Sequence, residues 1–168
     1  FLSSEACSSA SRTMRSMSSF DSDEPPVMVN SAPWSHSLGA NSILHMAAHR
    51  GGTVYIDAGQ PPSGRFAETV RNLKEVSTTY HNMVPAGWML FAGELERDAE
   101  LARTFFARVR VLQYGGAALG QDICDRVVRD DRASRNTREP AVLGHSRTPV
   151  ASQGPATRPF RLVWSGDT

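Results

Sequence analysis

Short apolar runs alternate with longer runs of helical periodicity between residues 27 and 128, and this alternation limits the fold most strongly. β-branched and aromatic residues bounded by Gly or Pro predict the strands. Apolar residues three and four apart predict the helices. The predicted strands cover residues 27–30, 53–56, 78–83 and 109–114, and the predicted helices 42–50, 65–76, 88–95, 99–106 and 121–128. Strands that alternate with helices form parallel β-α-β units with right-handed crossovers, so we predict an α/β fold with a mostly parallel sheet.

The bend between the first predicted strand and the first predicted helix carries the most distinctive side chains. Pro33, Trp34, His36 and Gly39 lie there. Proline restricts the turn, and glycine lets the backbone come close to another group. Ligands of open α/β sheets bind at the carboxyl ends of strands. We therefore predict a ligand site at this bend, with the imidazole and the indole projecting from it.

These four residues resemble the proline–aromatic–His–x–x–Gly motif of the adenylate-forming acyl-CoA synthetases. The flanking segments 23–27 and 51–57 are similar to the feruloyl-CoA synthase-like branch of that family. The resemblance implies a partial three-layer α/β sandwich, a central slice of the large N-terminal domain. It implies that His36 is catalytic, beside the acyl carbon, that Trp34 lies at the pantetheine tunnel, and that Gly39 belongs to the cofactor site.

Two later segments extend the resemblance. Asn82 and Val84 end a predicted strand and resemble part of the family's acyl-substrate wall. Tyr114 and the turn after it resemble the Gly-Gly-Ala turn that lines the adenine and acyl pockets; the turn consists of Gly115, Gly116, Ala117 and Ala118. The residues alone leave a plainer alternative open in both places, namely a strand stopped by proline and a tight glycine turn.

The family joins a carboxylic acid to AMP and then to coenzyme A, with ATP and magnesium. Its phosphate loop with a lysine is expected upstream of Phe1, and its ribose-binding aspartate and lysine-bearing C-terminal domain beyond Thr168. The Gly-x-Thr-Glu motif would fall at residues 144–149, where no carboxylate is present. We therefore expect a truncated acid–thiol ligase, inactive as this isolated chain, whose acid substrate is ferulate-like.

Two alternatives remain open. One is a non-catalytic remnant or interaction module that self-associates through exposed sheet edges. The other is a pocket that binds an aromatic acid or an adenylate without turnover. The domain organisation is the same in each case: a serine-rich leader with a weak helix (1–22), an α/β core (23–130), and an arginine- and proline-rich tail (131–168). We expect the tail to be loop, with one candidate strand at 160–164.

Composition excludes several other functions. A net charge of +1 provides no field that attracts nucleic acid or an anionic membrane. No apolar run approaches the roughly 20 residues of a membrane helix. Cys7 and Cys124 match no metal spacing, which indicates reduced thiols in a cytoplasm. His45 and His49 are four apart, but a third ligand is missing, so we predict no metal site.

Overall fold

The computed structural model describes residues 24–36, 38–60, 64–134, 142–146 and 161–164. The six strands are β1 (Val27–Asn30), β2 (Thr53–Ile56), β3 (Tyr80–Met83), β4 (Val111–Gly115), β5 (Val142–Ser146) and β6 (Arg161–Trp164). A π-helical segment, Leu38–Leu44, runs directly into helix α1 (His45–Arg50). The other helices are α2 (Phe66–Glu75), α3 (Pro85–Arg97), α4 (Ala99–Phe106) and α5 (Gln121–Ser134). The α/β class predicted from the sequence is confirmed.

The strands form two three-stranded parallel sheets, β1-β2-β6 and β3-β4-β5. The amino ends of β1 and β3 join the two sheets. The Thr79 amide donates to the Val27 carbonyl at 2.9 Å, and the Val27 amide donates to Thr79 Oγ1 at 2.9 Å. The strands therefore follow the order β6-β2-β1-β3-β4-β5. The chain winds outward from β1 to β2 and then returns past β1 to β3, so the winding direction reverses between β1 and β3. The carboxyl ends of the strands leave at one edge, which we call the carboxyl edge.

Consecutive residues of a strand point to opposite sides of the sheet, so apolar side chains lie on both of its faces. Helices cover both faces. On one face, helices α2 to α5 pack over Val29, Met83 and Leu112. On the other face, Ile43 of the π segment and Ala47 of α1 pack with Met28, Val54 and Tyr80. This arrangement makes three layers. None of the helices in the described ranges is long and apolar enough to cross a membrane.

Local sequence signals fix the ends of several helices. Helix α1 ends at Gly51, whose φ of 70° is the left-handed conformation that glycine adopts without strain. Helix α3 starts at Pro85, where a missing N–H costs no hydrogen bond. Asp98 caps α4 by accepting hydrogen bonds from the Glu100 and Leu101 amides, each at 3.0 Å.

The tail is more ordered than the sequence predicted. Helix α5 continues to Ser134, because Ile123, Val127 and Asp131 keep a four-residue spacing on its buried face. Residues Val142–Ser146 form β5, which pairs along β4 and gives the main chain of that strand hydrogen-bond partners. The expectation of loop is therefore wrong for these two stretches. The strand predicted at 160–164 is confirmed as β6, whereas the weak helix expected within residues 1–22 lies outside the described residues.

Candidate functional site

The bend after β1 is held by its own hydrogen bonds. Asn30, which is buried, donates from Nδ2 to the Ala32 carbonyl and accepts the Ala32 amide at Oδ1, both at 3.2 Å. The His36 amide then donates to the Pro33 carbonyl at 2.9 Å and closes a four-residue turn. The side chain of Asn30 thus sets the direction in which the chain leaves the sheet.

His36 is exposed at the end of this turn, with one of its nitrogens already occupied. The Leu38 amide donates to His36 Nδ1 at 3.1 Å. A neutral imidazole that accepts at Nδ1 carries its proton on Nε2. The Nε2–H of His36 is therefore available to donate a hydrogen bond.

Gly39 packs against the bend. A Cβ at this position would lie 2.6 Å from the Pro33 carbonyl oxygen and 3.0 Å from that of Ala32. Only glycine allows the start of the π segment to come this close to the turn. Gly39 therefore fixes the position of the bend, and π-helical turns of this kind occur frequently at functional sites.

Large exposed apolar side chains gather where the chain leaves the carboxyl edge. Within the described ranges these are Trp34, Val84, Met89 and Leu90, between 38% and 58% exposed. Trp34 follows β1, Val84 follows β3, and the other two lie in the first turns of α3, which starts at the next residue. Because β1 and β3 are neighbours, Trp34 and Val84 follow adjacent strands, and we call the four exposed residues the apolar rim. An apolar ligand would bury this rim.

Asn82 belongs to a polar network on the face covered by the π segment. Its Nδ2 donates to Gln113 Oε1 at 2.7 Å, and the Tyr80 hydroxyl donates to the same oxygen. Tyr80 and Gln113 are both buried. Sequence reasoning identified Asn82 but missed the other two. The available signal for Tyr80 was its place two residues before Asn82 in the same predicted strand, since alternate residues of a strand share a face.

The turn after β4 presents bare backbone to solvent. Gly116 has a φ of 90°, and no other group lies within 4 Å of where its Cβ would be. Gly116, Ala117 and Ala118 are exposed, while Tyr114 and Gly115 are half-buried. Such a surface allows a flat group to approach the main chain closely. Since β4 lies beside β3 and β3 beside β1, the turn, the network and the bend share the carboxyl edge.

The described residues do not fit magnesium or a triphosphate. They contain no group of three or more His, Cys, Asp or Glu that could hold a metal ion. Asp57, at the end of β2, has both carboxylate oxygens engaged by Gly59, Thr69 and Asn72. The only lysine of the sequence, Lys74, is paired with Asp98 on the helical layer. Among the described residues, the carboxyl edge thus has neither a metal-binding cluster nor an unpaired lysine.

A comparison with known families identifies the family of the chain. The family model of the AMP-binding enzymes matches residues 2–134. The chain belongs to the AMP-binding enzyme family. Neither the curated proteins nor the solved structures yielded a match.

AMP-binding enzymes activate small carboxylic acids as adenylates, with ATP and magnesium and, in the acyl ligases, coenzyme A. The family match ends at the last residue of α5 and includes the bend, the end of β3 at Asn82 and the turn at Gly115. Strands β5 and β6 lie beyond it. These two strands are therefore outside the part of the chain that the family model matches.

Proposed function

We propose that this chain is part of an acyl-CoA synthetase of the feruloyl-CoA synthase-like branch. The complete reaction converts a carboxylic acid, ATP and coenzyme A to an acyl-CoA, AMP and pyrophosphate. One observation carries the proposal: the bend with His36, the wall at Asn82 and Val84, and the Gly115–Gly116 turn share one edge of the sheet, at the reversal of winding. The family match over residues 2–134 supports it.

In this proposal His36 acts on the acyl group. Its Nε2–H donates to an oxygen of the carboxylate and then to the acyl oxygen of the adenylate, where it stabilises the negative charge that develops when a thiol attacks. Gly39 keeps His36 in place by holding the turn against the π segment. Trp34 forms the apolar wall along which the thiol approaches, and the backbone of Gly115 to Ala118 lies under the acyl or adenine group.

The apolar rim supports an aromatic acid as the substrate. Trp34, Val84 and the start of α3 offer apolar surface to a ligand of the size and flatness of ferulate. The thiol of Cys124, free in the described part of the chain, fits a reducing compartment such as the cytoplasm.

We further infer that the 168 residues bind an acyl adenylate without producing one. Lys74 is engaged by Asp98, the described residues hold no cation site, and residues 144–149 contain no carboxylate. An ATP-dependent step needs groups that neutralise the phosphates.

Calorimetry with a non-hydrolysable feruloyl-adenylate mimic tests both parts. We expect binding by the wild-type chain and about tenfold weaker binding by His36→Ala, the loss of one hydrogen bond to a charged or polarised oxygen. Ser35→Ala, an exposed neighbour in the same turn, is the matched control and should bind like wild type. The proposed site would be refuted by absence of binding, and the inferred lack of turnover by ferulate-dependent exchange of pyrophosphate into ATP.

A second candidate function is an interaction module. Strands β5 and β6 are the outer strands of the described sheets, and an unpaired strand edge can add a strand from another molecule. In that case the chain would associate with itself through β5 or β6, and adenylate binding would be absent.

A further inference from the structure

The bend that carries His36 has little burial of its own to hold it. Residues 33–36 are all exposed, whereas Asn30, at the end of β1, is only 5% exposed. An exposed turn gains little free energy from packing, so its conformation depends on hydrogen bonds to groups that are themselves fixed. The strand side of the bend therefore needs an anchor inside the sheet.

Asn30 joins the bend to the sheet through its main chain and its side chain. Its main-chain carbonyl accepts a hydrogen bond from the Asp57 amide at 2.9 Å, which ties the ends of β1 and β2 together. Its side chain holds Ala32 by two hydrogen bonds of 3.2 Å, one to the carbonyl and one from the amide. The residue that ends β1 thus fixes the residue that opens the bend.

The carboxamide of Asn30 can take only one orientation. A main-chain N–H only donates and a main-chain carbonyl only accepts, so a reversed carboxamide would set donor against donor and acceptor against acceptor at Ala32. An aspartate would lack the donor for the Ala32 carbonyl, and an alanine would lack both groups. The double contact therefore depends on the carboxamide itself.

The contact with Ala32 extends to His36 through the rest of the bend. The next carbonyl, that of Pro33, accepts the His36 amide at 2.9 Å. The carbonyls of Ala32 and Pro33 together form the surface against which Gly39 packs. Asn30 therefore holds a carbonyl that both ends of the bend need in place.

From these contacts we propose that Asn30 is a positioning residue of the acyl-adenylate site, which fixes the imidazole of His36 without contacting the ligand. The inference rests on the proposed function and adds a residue that lies outside the proline–aromatic–His–x–x–Gly motif. Without its side chain the bend samples further conformations, and the ligand must select the one in which His36 is in place. The affinity for an acyl adenylate then falls.

A double-mutant cycle on the binding of the feruloyl-adenylate mimic tests the inference. We expect Asn30→Ala to bind the mimic about fivefold more weakly than the wild-type chain. In the His36→Ala background the same substitution should change the affinity less than about twofold, because the side chain that Asn30 positions is already gone. An equal loss in both backgrounds would show that Asn30 does not act through His36 and would overturn the inference.

A matched variant separates positioning from a general loss of stability. Asn72→Ala removes another buried carboxamide, on α2 and outside the bend. It should keep the wild-type affinity, and the Leu38 amide signal, which reports the hydrogen bond to His36 Nδ1, should move only in Asn30→Ala. Equal losses of affinity in the two variants would overturn the inference.

Hydrogen exchange of the wild-type chain keeps the test independent of how the variants fold. If the contact between Asn30 and Ala32 supports binding, the bound mimic must stabilise that contact, so the Ala32 amide should exchange more slowly. The Glu100 amide makes the same type of contact with Asp98 on the helical layer and should exchange at an unchanged rate. An Ala32 amide that exchanges equally fast with and without bound mimic would overturn the inference and leave the proposed function in place. If the wild-type chain did not bind the mimic, the proposed function would fail and the inference with it.

Discussion

The Thr69 hydroxyl donates a hydrogen bond to Asp57 Oδ2 at 2.5 Å, and both residues are buried between β2 and α2. The other carboxylate oxygen, Oδ1, accepts from the Gly59 amide and from Asn72 Nδ2, each at 2.9 Å. One carboxylate thus joins the end of a strand, the loop after it and a helix twelve to fifteen residues further on. These contacts fix the β2 part of the carboxyl edge.

Removal of this carboxylate should destabilise the chain strongly. Asp57→Ala removes the acceptor of three buried hydrogen bonds, and we expect the free energy of unfolding to fall by about 3 kcal/mol. Urea denaturation followed by circular dichroism measures the change. Asp125→Ala, an exposed aspartate on α5, is the control and should stay within about 0.5 kcal/mol of wild type. A loss for Asp57→Ala no larger than that of the control would contradict the role assigned to Asp57.

His81 makes the stability of the chain sensitive to acid. Its ring packs against Trp88, Phe91 and Phe105, with ring centroids 5.7, 6.1 and 5.2 Å away. Neither ring nitrogen has a hydrogen-bond partner among the described residues. Burial therefore lowers the pKa of His81 to about 3, because the charged ring would lose its hydration and gain no partner.

The direction of the pH dependence follows from proton binding by the folded and unfolded chains. Between pH 6.5, the ordinary pKa of histidine, and about 3, the unfolded chain binds a proton at His81 and the folded chain does not. The free energy of unfolding therefore falls with decreasing pH over this window, and His81 accounts for about 2 kcal/mol of the loss at pH 5.

His81→Phe removes the titrating group and keeps an aromatic ring. Denaturation at pH 7 and pH 5 should show a smaller loss for this variant, whereas His36→Ala, which removes an exposed histidine, should lose as much as wild type. An equal loss for His81→Phe and wild type would show that His81 does not carry this dependence.

Strands β5 and β6 should keep the chain from associating through β2 and β4. Strand β6 pairs with the outer edge of β2, and β5 pairs with the outer edge of β4. Within the described sheet, no other segment covers these two edges. A chain that ends at Ser134 lacks both outer strands, and a chain that ends at Ser146 lacks only β6. Unpaired edges pair with other molecules. We expect light scattering after size exclusion to give a larger mass for each shortened chain than for the full chain, with the largest mass for the shorter one. If both shortened chains had the mass of the full chain, the protective role of the tail strands would be refuted.

Local patterns predicted the first four strands and the helices between them, because each has its own periodicity and its own bounding glycine or proline. The carboxyl-edge segments could be predicted for the same reason, since each directly follows a strand. Strand β5 could not, because Gly144 and His145 weaken its pattern and its order comes from pairing with β4. The adjacency of β1 and β3 likewise depends on tertiary contacts at Val27 and Thr79, which are 52 residues apart.

Polar groups buried by the fold were the hardest to predict. The sequence indicates that Tyr80, Asn82 and Gln113 lie in strands, but their convergence requires β3 beside β4 in the observed register, where Asn82 faces Gln113. The same holds for Asp57, whose partners lie on a separate helix. In each case the hydrogen bonds join elements whose relative position only the packed core determines.

Chemical-shift mapping with the feruloyl-adenylate mimic tests the central claim most directly. If the carboxyl edge is the acyl-adenylate site, the amide signals that shift should cluster in three segments, namely residues 34–39, 82–84 and 114–118. The helical layer of α2 and α4 should stay unchanged. Shifts confined to that layer, or absent from the bend around His36, would contradict the account.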